Sequence, residues 1–358
     1  MDSADKNILG VRLKLARKMA GMSLQNLSDQ LQNIVTKQAL SKYEQGSMKP
    51  SSEIIIALSN VLNLKPDYFI KKKSIEIGNI SFRKKVSLSI KIEESVIEKA
   101  RDYVERFLEI ENLLEIDNKF KNPVKNLLIK DYTDADLASV QLRKSWELGL
   151  NPIPNITQTL ELKGVKIYLI DEVDEIDGIS FIASNNIPVV VVNIRAKSTE
   201  RIRFTIIHEL AHLILKFDEK IKTDSKLIEK LCHRFSSSFL IPNGKLIEMI
   251  GGNHRQYVAI KELISIKEYY GISIRAIIYR LQQLNIITQT YYTKWMVYLS
   301  KTYGQKNEPG NYVSEEKIEL FERLVDRALS EDFISISKAA VLLNTSVNSI
   351  RKGLIGAR

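Results

Sequence analysis

Apolar side chains in the first third of the chain recur every three or four residues, which is the spacing of a helix face. From about residue 8 to 70 these runs are short and are separated by Gly, Ser, Asn and Pro, a pattern that predicts five short helices. Between residues 93 and 114 the same spacing continues without interruption and predicts one long helix. The basic stretch between these two parts, residues 71–91, is expected to be a linker with some local order.

β-Branched runs are confined to one part of the chain. Three of them are bounded by Gly, Asp and Asn and predict a small three-stranded sheet; they are residues 165–170, 179–183 and 188–193. A helix that ends near Trp146 and a second, shorter helix are predicted before this sheet. After Thr199 the helical spacing returns and continues to the end of the chain, with a predicted helix start at 345–346.

These patterns predict an α+β fold that is mostly helical and has four regions. Residues 1–70 form a five-helix domain, and residues 71–130 form the basic linker and the long helix. Residues 131–250 form a domain with the small sheet, and residues 251–358 form a helical C-terminal region. At roughly 150 residues per domain, a chain of 358 residues has room for two or three domains.

Composition narrows the class of protein. A hydrophobic fraction of 44% with 27% charged residues excludes a disordered, a collagen-like and a coiled-coil chain. No run approaches the roughly 18 apolar residues of a membrane span, and the first residues are charged too regularly for a signal peptide, so no membrane partner is expected. The lone Cys232 cannot form an internal disulfide, which predicts a cytoplasmic protein. The net charge of +10 permits nucleic acid or an acidic protein as partner.

A short motif near the N-terminus carries the first family resemblance. Residues 40–44 read Leu-Ser-Lys-Tyr-Glu and are followed by Gly46 and Pro50, which is similar to the recognition-helix signature of the XRE-type helix-turn-helix family of phage repressors. The chain departs from the family at two points. The turn at 32–34 is longer than usual and lacks the family's Gly, and Leu24 stands where a Gln often contacts phosphate.

The resemblance implies that residues 1–70 bind double-stranded operator DNA. In such modules the second helix of the pair lies in the major groove. The matching positions are Lys37, Gln38 and Lys42, because Gln can bond to adenine and Lys can reach guanine acceptors. Leu40 and Tyr43 are expected in the core. Since these modules pair on palindromic half-sites, a homodimer is also expected.

A second motif carries metal chemistry. Residues 208–212 read His-Glu-Leu-Ala-His, a complete HExxH. Residues four apart lie on one side of a helix, so His208 and His212 can bind one Zn²⁺, and Glu209 can reach a water molecule as general base. The alternative is a pair of surface histidines on an ordinary core helix.

A downstream segment resembles the ImmA/IrrE metallopeptidase family. Residues 229–242 match Glu-x-x-Ala-Asn-x-Phe followed by Leu-x-Pro, which implies a zincin-like domain with Glu229 as third zinc ligand. Where the family has Ala-Asn, this chain has Cys232 and His233, on the same helix face as Glu229. Either side chain could approach the metal: a thiolate could occupy the open position, or a small buried Cys could lie beside a hydrogen-bonding His. His254, in a loop, could polarise a substrate carbonyl, but a loop histidine is expected to be solvated.

The two resemblances together imply a DNA-binding regulator that is also a zinc endopeptidase. Its substrate is expected to be a repressor-type protein or an operon partner, cut in a stress, phage or mobile-element response. The strand around 189–193 is expected to offer an edge to an extended substrate. Two alternatives stay open: a transcriptional regulator or antitoxin-like protein with a non-catalytic zinc site, and a peptidase that uses the N-terminal module only to dock its substrate.

Overall fold

The computed structural model describes residues 7–71, 77–81, 89–171, 176–305 and 307–354. The chain divides into two compact units. The first unit contains residues 1–78, 84–117 and 321–358, and the second unit contains residues 79–83 and 118–320. In the described ranges, no helix combines the length and the apolar character needed to cross a membrane.

The first unit begins with the predicted helices. They are α1 (Ile8–Met19), α2 (Leu24–Gln30), α3 (Lys37–Gln45), α4 (Ser52–Leu62) and a 3-10 helix (Pro66–Ile70), so the fifth predicted helix is a single tight turn that starts at a proline. The caps explain where the others start, since Ser23, Thr36 and Ser51 each accept a hydrogen bond from a backbone N–H of the first turn. One apolar core joins them; its fully buried members include Leu13, Leu27, Leu40, Leu58 and Phe69.

The predicted long helix is present as α5 (Ile90–Leu113). Its apolar stripe is buried, and its charged side chains also make contacts inside the first unit. Arg12 donates to Glu105 at 2.7 Å, and both side chains are almost completely buried. Lys71 donates to Glu109 at 2.6 Å. The predicted linker lies largely outside the described residues.

A four-stranded sheet lies in the order β1-β4-β5-β3. The strands among the described residues are β1 (Ile77–Ser81), β2 (Leu128–Ile129), β3 (Lys166–Ile170), β4 (Gly178–Ala183), β5 (Ile187–Asn193) and β6 (Lys216–Phe217). The three predicted strands are β3, β4 and β5, and β1 is added to them. Since β5 pairs with β4 on one side and β3 on the other, the prediction that residues 189–193 offer an edge is wrong. The edge strands of this sheet are β1 and β3.

The second unit also contains helices. They are α6 (Tyr132–Ser145), α7 (Ile156–Glu161), α8 (Thr199–Ile214), α9 (Ser225–Leu240), α10 (Asn243–Ile250), α11 (Ile260–Tyr270), α12 (Ile274–Gln283) and α13 (Gln289–Tyr303). Helix α8 packs on β4 and β5 and also on α9, and α9 packs on α6. Burial of Ile206, Ile207 and Leu210 from α8 with Val190 and Val192 from β5 fixes the helix that carries the HExxH motif.

Three short helices follow, α14 (Leu320–Ser330), α15 (Ile336–Leu342) and α16 (Val347–Leu354). The predicted helix start is confirmed, since Ser346 accepts a hydrogen bond from the N–H of Ser349 at 3.0 Å. Residues from 321 onward belong to the first unit, where Lys338 pairs with Glu109. Burial alone would raise the pKa of Glu109, but hydrogen bonds from Lys338 and Lys71 outweigh it and hold this pKa below its ordinary value.

Candidate functional site

Helix α8 is anchored at its first turns by a buried arginine. Arg203 donates to the Glu316 carboxylate at 2.5 Å and to the backbone carbonyls of Ile153 at 2.7 Å and Gly271 at 3.1 Å. Both charged side chains are about 1% exposed, so the pair is screened from solvent. The anchor lies less than two helical turns before His208 and fixes both the position and the rotation of the helix.

Helix α9 is anchored by a buried charge cluster around Asp136 of α6. This carboxylate accepts hydrogen bonds from Arg234 of α9 at 2.6 Å, from Arg280 of α12 at 2.5 Å and from Asn243 of α10 at 3.1 Å. Burial lowers the pKa of Arg280 to about 10, against the opposing effect of Asp136. These hydrogen bonds connect helices α6, α9, α10 and α12 at a point about one turn after Glu229 on α9.

The two anchored helices bring the predicted ligands together. His212 Nε2 lies 3.1 Å from His208 Nε2, and Glu229 Oε2 lies 3.1 Å from the same His208 nitrogen. Two donors that each bind a tetrahedral zinc ion at about 2.0–2.1 Å lie about 3.3 Å apart, so each of these two distances is that of a pair of donors to one ion. Two imidazoles and a carboxylate are also a donor set that zinc prefers, and the residues present fit the metal.

His233 lies in the same cluster. Donor atoms of His208, Glu229 and His233 all lie within 4.8 Å of one another. The His233 ring centroid is 4.6 Å from that of His208 and 5.5 Å from that of Phe204, which meets it edge-on. His254, by contrast, is exposed in the loop after α10.

Cys232 occupies a different place from the one that the thiolate alternative requires. Its sulfur lies 2.9 Å from Nδ1 of His212, whereas Nε2 of His212 faces His208. The thiol is therefore behind a predicted ligand rather than in an open metal position. Such a contact to the second ring nitrogen orients a ligating histidine and fixes its tautomer. The corresponding Nδ1 of His208 is buried, with no hydrogen-bond partner among the described residues.

Glu209 points toward strand β4. Its side chain is buried and accepts a hydrogen bond from the hydroxyl of Ser180 at 2.8 Å. Gly178 lets the glutamate approach the strand, because a Cβ at this position would lie 2.8 Å from Glu209 Cγ and 3.0 Å from Oε1. The sequence pattern around Gly178 and Ser180 predicted a strand but did not predict that either residue belongs to the site.

The other candidate site is the helix pair α2–α3. Its turn reaches a left-handed conformation without glycine, since Gln32 and Asn33 have φ values of 54° and 59°. Ser28 stabilises the turn by donating to the carbonyl of Val35 at 2.7 Å. The missing glycine is thus replaced by two residues of positive φ, one of them an asparagine, which tolerates this conformation better than most residues.

Helix α3 presents the predicted DNA-contacting residues to solvent. Lys37, Gln38 and Lys42 are exposed, whereas Leu40 and Tyr43 are buried as expected. A basic and amide-bearing outer face on a helix held by its apolar face is the arrangement that base and phosphate contacts require.

Helix α3 is also held at its C-terminal end. Arg17 of α1 makes a two-pronged ion pair with Glu44, at 2.6 and 2.9 Å. Asn7 donates to the carbonyl of Glu44 at 3.0 Å, and Gly46 ends the helix with φ 74°. A Cβ at Gly46 would lie 2.4 Å from the Asn7 side chain, so this close approach requires glycine.

Comparison with known proteins finds similarity in the two regions that contain these residues. Residues 13–69 match the helix-turn-helix family model, and residues 161–282, which include His208, His212 and Glu229, match the IrrE N-terminal-like domain. The uncharacterized HTH-type transcriptional regulator YqaE of Bacillus subtilis (strain 168) is 38% identical over 64 residues, 18% of this chain and 53% of that relative, so the chain spans about half the length of the curated relative. The chain therefore combines an XRE-type helix-turn-helix region with an ImmA/IrrE-like region.

Proposed function

We propose that this chain is a zinc-dependent endopeptidase joined to a DNA-binding module. The observation that carries the proposal is the close approach of His212 and Glu229 to His208, on a helix whose next residue is the buried Glu209. A purely structural metal site needs no general base. A buried acidic side chain directly after a candidate ligand, held by its own hydrogen bond, therefore favours hydrolysis.

The chain's own residues divide the chemistry between them. His208, His212 and Glu229 would hold the zinc ion, whose Lewis acidity lowers the pKa of water and polarises a carbonyl. Glu209 takes the proton of the attacking water and returns it to the leaving amine. Ser180 holds the Glu209 carboxylate through Oε2, so the carboxylate keeps one orientation during proton transfer.

We propose that helix α3 binds operator DNA through Lys37, Gln38 and Lys42. The family match at 13–69, the similarity to a transcriptional regulator and the exposure of these three side chains support this. Homodimerisation, cytoplasmic location and a repressor-type protein as the substrate stay predictions. A small repressor encoded next to this chain is the first substrate to test.

Two substitutions test the peptidase. In purified full-length protein, His208→Ala should remove zinc and cleavage together, whereas Glu209→Gln should retain zinc and lose cleavage. Glu219→Gln is the matched control, because Glu219 is an exposed loop carboxylate. Zinc is measured by elemental analysis and cleavage by mass spectrometry of candidate repressors. Cleavage by Glu209→Gln at the wild-type rate would exclude Glu209 as the base.

Salt dependence tests the DNA proposal. Operator affinity should fall steeply as salt rises, and Lys42→Ala should reduce the slope of log affinity against log salt by about 1, the loss of one phosphate contact. Lys37→Ala with Gln38→Ala should abolish operator specificity without altering peptide hydrolysis. Lys226→Ala, an exposed lysine on α9, is the control. A chain that binds no DNA at low salt would instead use the N-terminal module for docking.

A second function is favoured by one observation, the presence of His233 in the donor cluster. Four protein ligands characterise structural zinc sites, so this residue favours a regulator or antitoxin-like protein with a non-catalytic metal. Retained DNA binding by a wild-type chain that cleaves no operon partner would support this alternative.

A further inference from the structure

The metal cluster is built from two pairs of residues, and the two pairs have the same spacing. His208 and His212 are four residues apart on α8, and Glu229 and His233 are four apart on α9. Each pair therefore presents its two donors on one side of its helix, one turn apart. Helices α8 and α9 pack against each other. Donor atoms of His208, Glu229 and His233 lie within 4.8 Å of one another, and His212 joins them through the 3.1 Å approach of its Nε2 to His208 Nε2.

The distances between donor atoms allow His233 to bind the same ion as His208 and Glu229. If three atoms lie at most 4.8 Å from one another, some point lies within about 2.8 Å of all three, against ligand distances of about 2.0–2.2 Å for zinc. A movement of less than about 1 Å per side chain closes this difference, which is within the range of small side-chain rotations. Phe204 lies edge-on to the His233 ring and limits its rotation away from the cluster.

We propose that His233 is a fourth protein ligand, which closes the resting metal centre with three imidazoles and one carboxylate. The inference rests on the zinc site proposed above and adds its regulation. Catalytic zinc sites keep one position for water, and closed sites with four protein ligands do not. Such a resting centre would leave no position for water, so Glu209 would act as a base only after the imidazole of His233 had moved away.

The neighbouring cysteine does not compete for this position. The sulfur of Cys232 contacts Nδ1 of His212 and lies behind that ring. Of the two residues at 232 and 233, only His233 belongs to the cluster of donors that lie within 4.8 Å. The closing ligand is therefore a nitrogen, and reducing agents should not open the site.

Zinc affinity and cobalt absorption test the proposal in the full-length chain. His233→Asn keeps a polar side chain and removes the imidazole, and His254→Asn is the matched control at an exposed loop histidine. In competition with a chromophoric chelator, His233→Asn should bind zinc at least about 10-fold more weakly than the wild type. Substitution of a residue that only hydrogen-bonds to a ligand already lowers metal affinity by about 10–100-fold. With Co²⁺ in place of zinc, azide should change the visible spectrum of His233→Asn and leave that of the wild type unchanged.

Four results would overturn the inference. Equal zinc affinity in His233→Asn and the wild type would exclude His233 as a zinc ligand. If His233→Asn lost only turnover, the imidazole would instead contact the reacting carbonyl of the substrate. An azide response in the wild-type Co²⁺ protein would show an open position already present. If the wild type and His208→Ala both bind no zinc, the proposed metal centre itself fails. Equal circular dichroism of all variants excludes misfolding as the cause.

Discussion

The buried ion pair that anchors α8 gives a prediction that depends on no substrate. Glu316 accepts hydrogen bonds from Arg203 at 2.5 Å, from the backbone N–H groups of Ile156 at 3.1 Å and Thr157 at 2.8 Å, and from the Thr157 hydroxyl at 2.6 Å. Its carboxylate thus satisfies one buried cation and the first amides of α7. Glu316→Ala removes all four interactions at once.

The expected effect follows from what the substitution leaves behind. An uncompensated buried charge costs about 3–5 kcal/mol when one partner of a buried pair is removed. The unsatisfied amides at Ile156 and Thr157 add to this cost, about 1–3 kcal/mol for a fully buried group, although the contributions are not additive. We therefore expect Glu316→Ala to lower the free energy of unfolding of the second unit by at least about 3 kcal/mol, out of a typical total of about 5–15.

Urea unfolding followed by circular dichroism measures this change. Glu315→Ala is the control, since Glu315 is adjacent and its side chain is exposed. Arg203→Met combined with Glu316→Gln should be less destabilising than Glu316→Ala alone, because no charge is left buried. A Glu316→Ala variant within about 0.5 kcal/mol of the control, the usual range for surface substitutions, would refute the reasoning.

Three further changes test other parts of the structure. Gly178→Ala should keep the metal but lower turnover by about 100-fold, because a Cβ only 2.8 Å from Glu209 Cγ must displace the carboxylate. Glu109→Gln should destabilise the first unit at neutral pH and have little effect in acid, since the lowered pKa of this carboxyl makes its stabilisation disappear as the pH falls through that value. Asp136→Asn should cost about 3–5 kcal/mol, because Arg280 stays buried without an anion.

Each of these has its own control or contrary result. Gly244→Ala places a Cβ where no atom lies within 4 Å, so it should leave turnover unchanged, and equal loss in both variants would mean a general effect of alanine. A Glu109→Gln variant whose urea midpoint follows that of the wild type across the acid range would contradict the lysine contacts as the source of stability. Wild-type stability of Asp136→Asn would show that its arginines find other partners.

Local chemistry explains why so much of the fold could be predicted. Helix caps at Ser23, Thr36 and Ser51 depend on a few neighbouring residues, and so does the placement of His208 and His212 on one side of α8. The 3-10 helix at Pro66–Ile70 has only five residues, which is too short for a periodic apolar pattern to show its type.

Long-range pairing explains what the sequence could not predict. Strand order places β5 inside the sheet, although an interior strand and a covered edge strand have the same apolar pattern. Arg203 and Glu316 are separated by 113 residues, and no spacing connects them. The contacts of Ser180 with Glu209 and of Cys232 with His212 also join different elements, so their residue types alone gave no sign of a partner.

X-ray absorption at the zinc edge of the purified full-length chain tests the central claim most directly. The account predicts one zinc ion per chain, surrounded only by nitrogen and oxygen at about 2.0–2.2 Å, with the outer-shell scattering of three imidazoles. Absence of stoichiometric metal would contradict it, and so would a sulfur neighbour at about 2.3 Å, which would place Cys232 on the ion in place of His233.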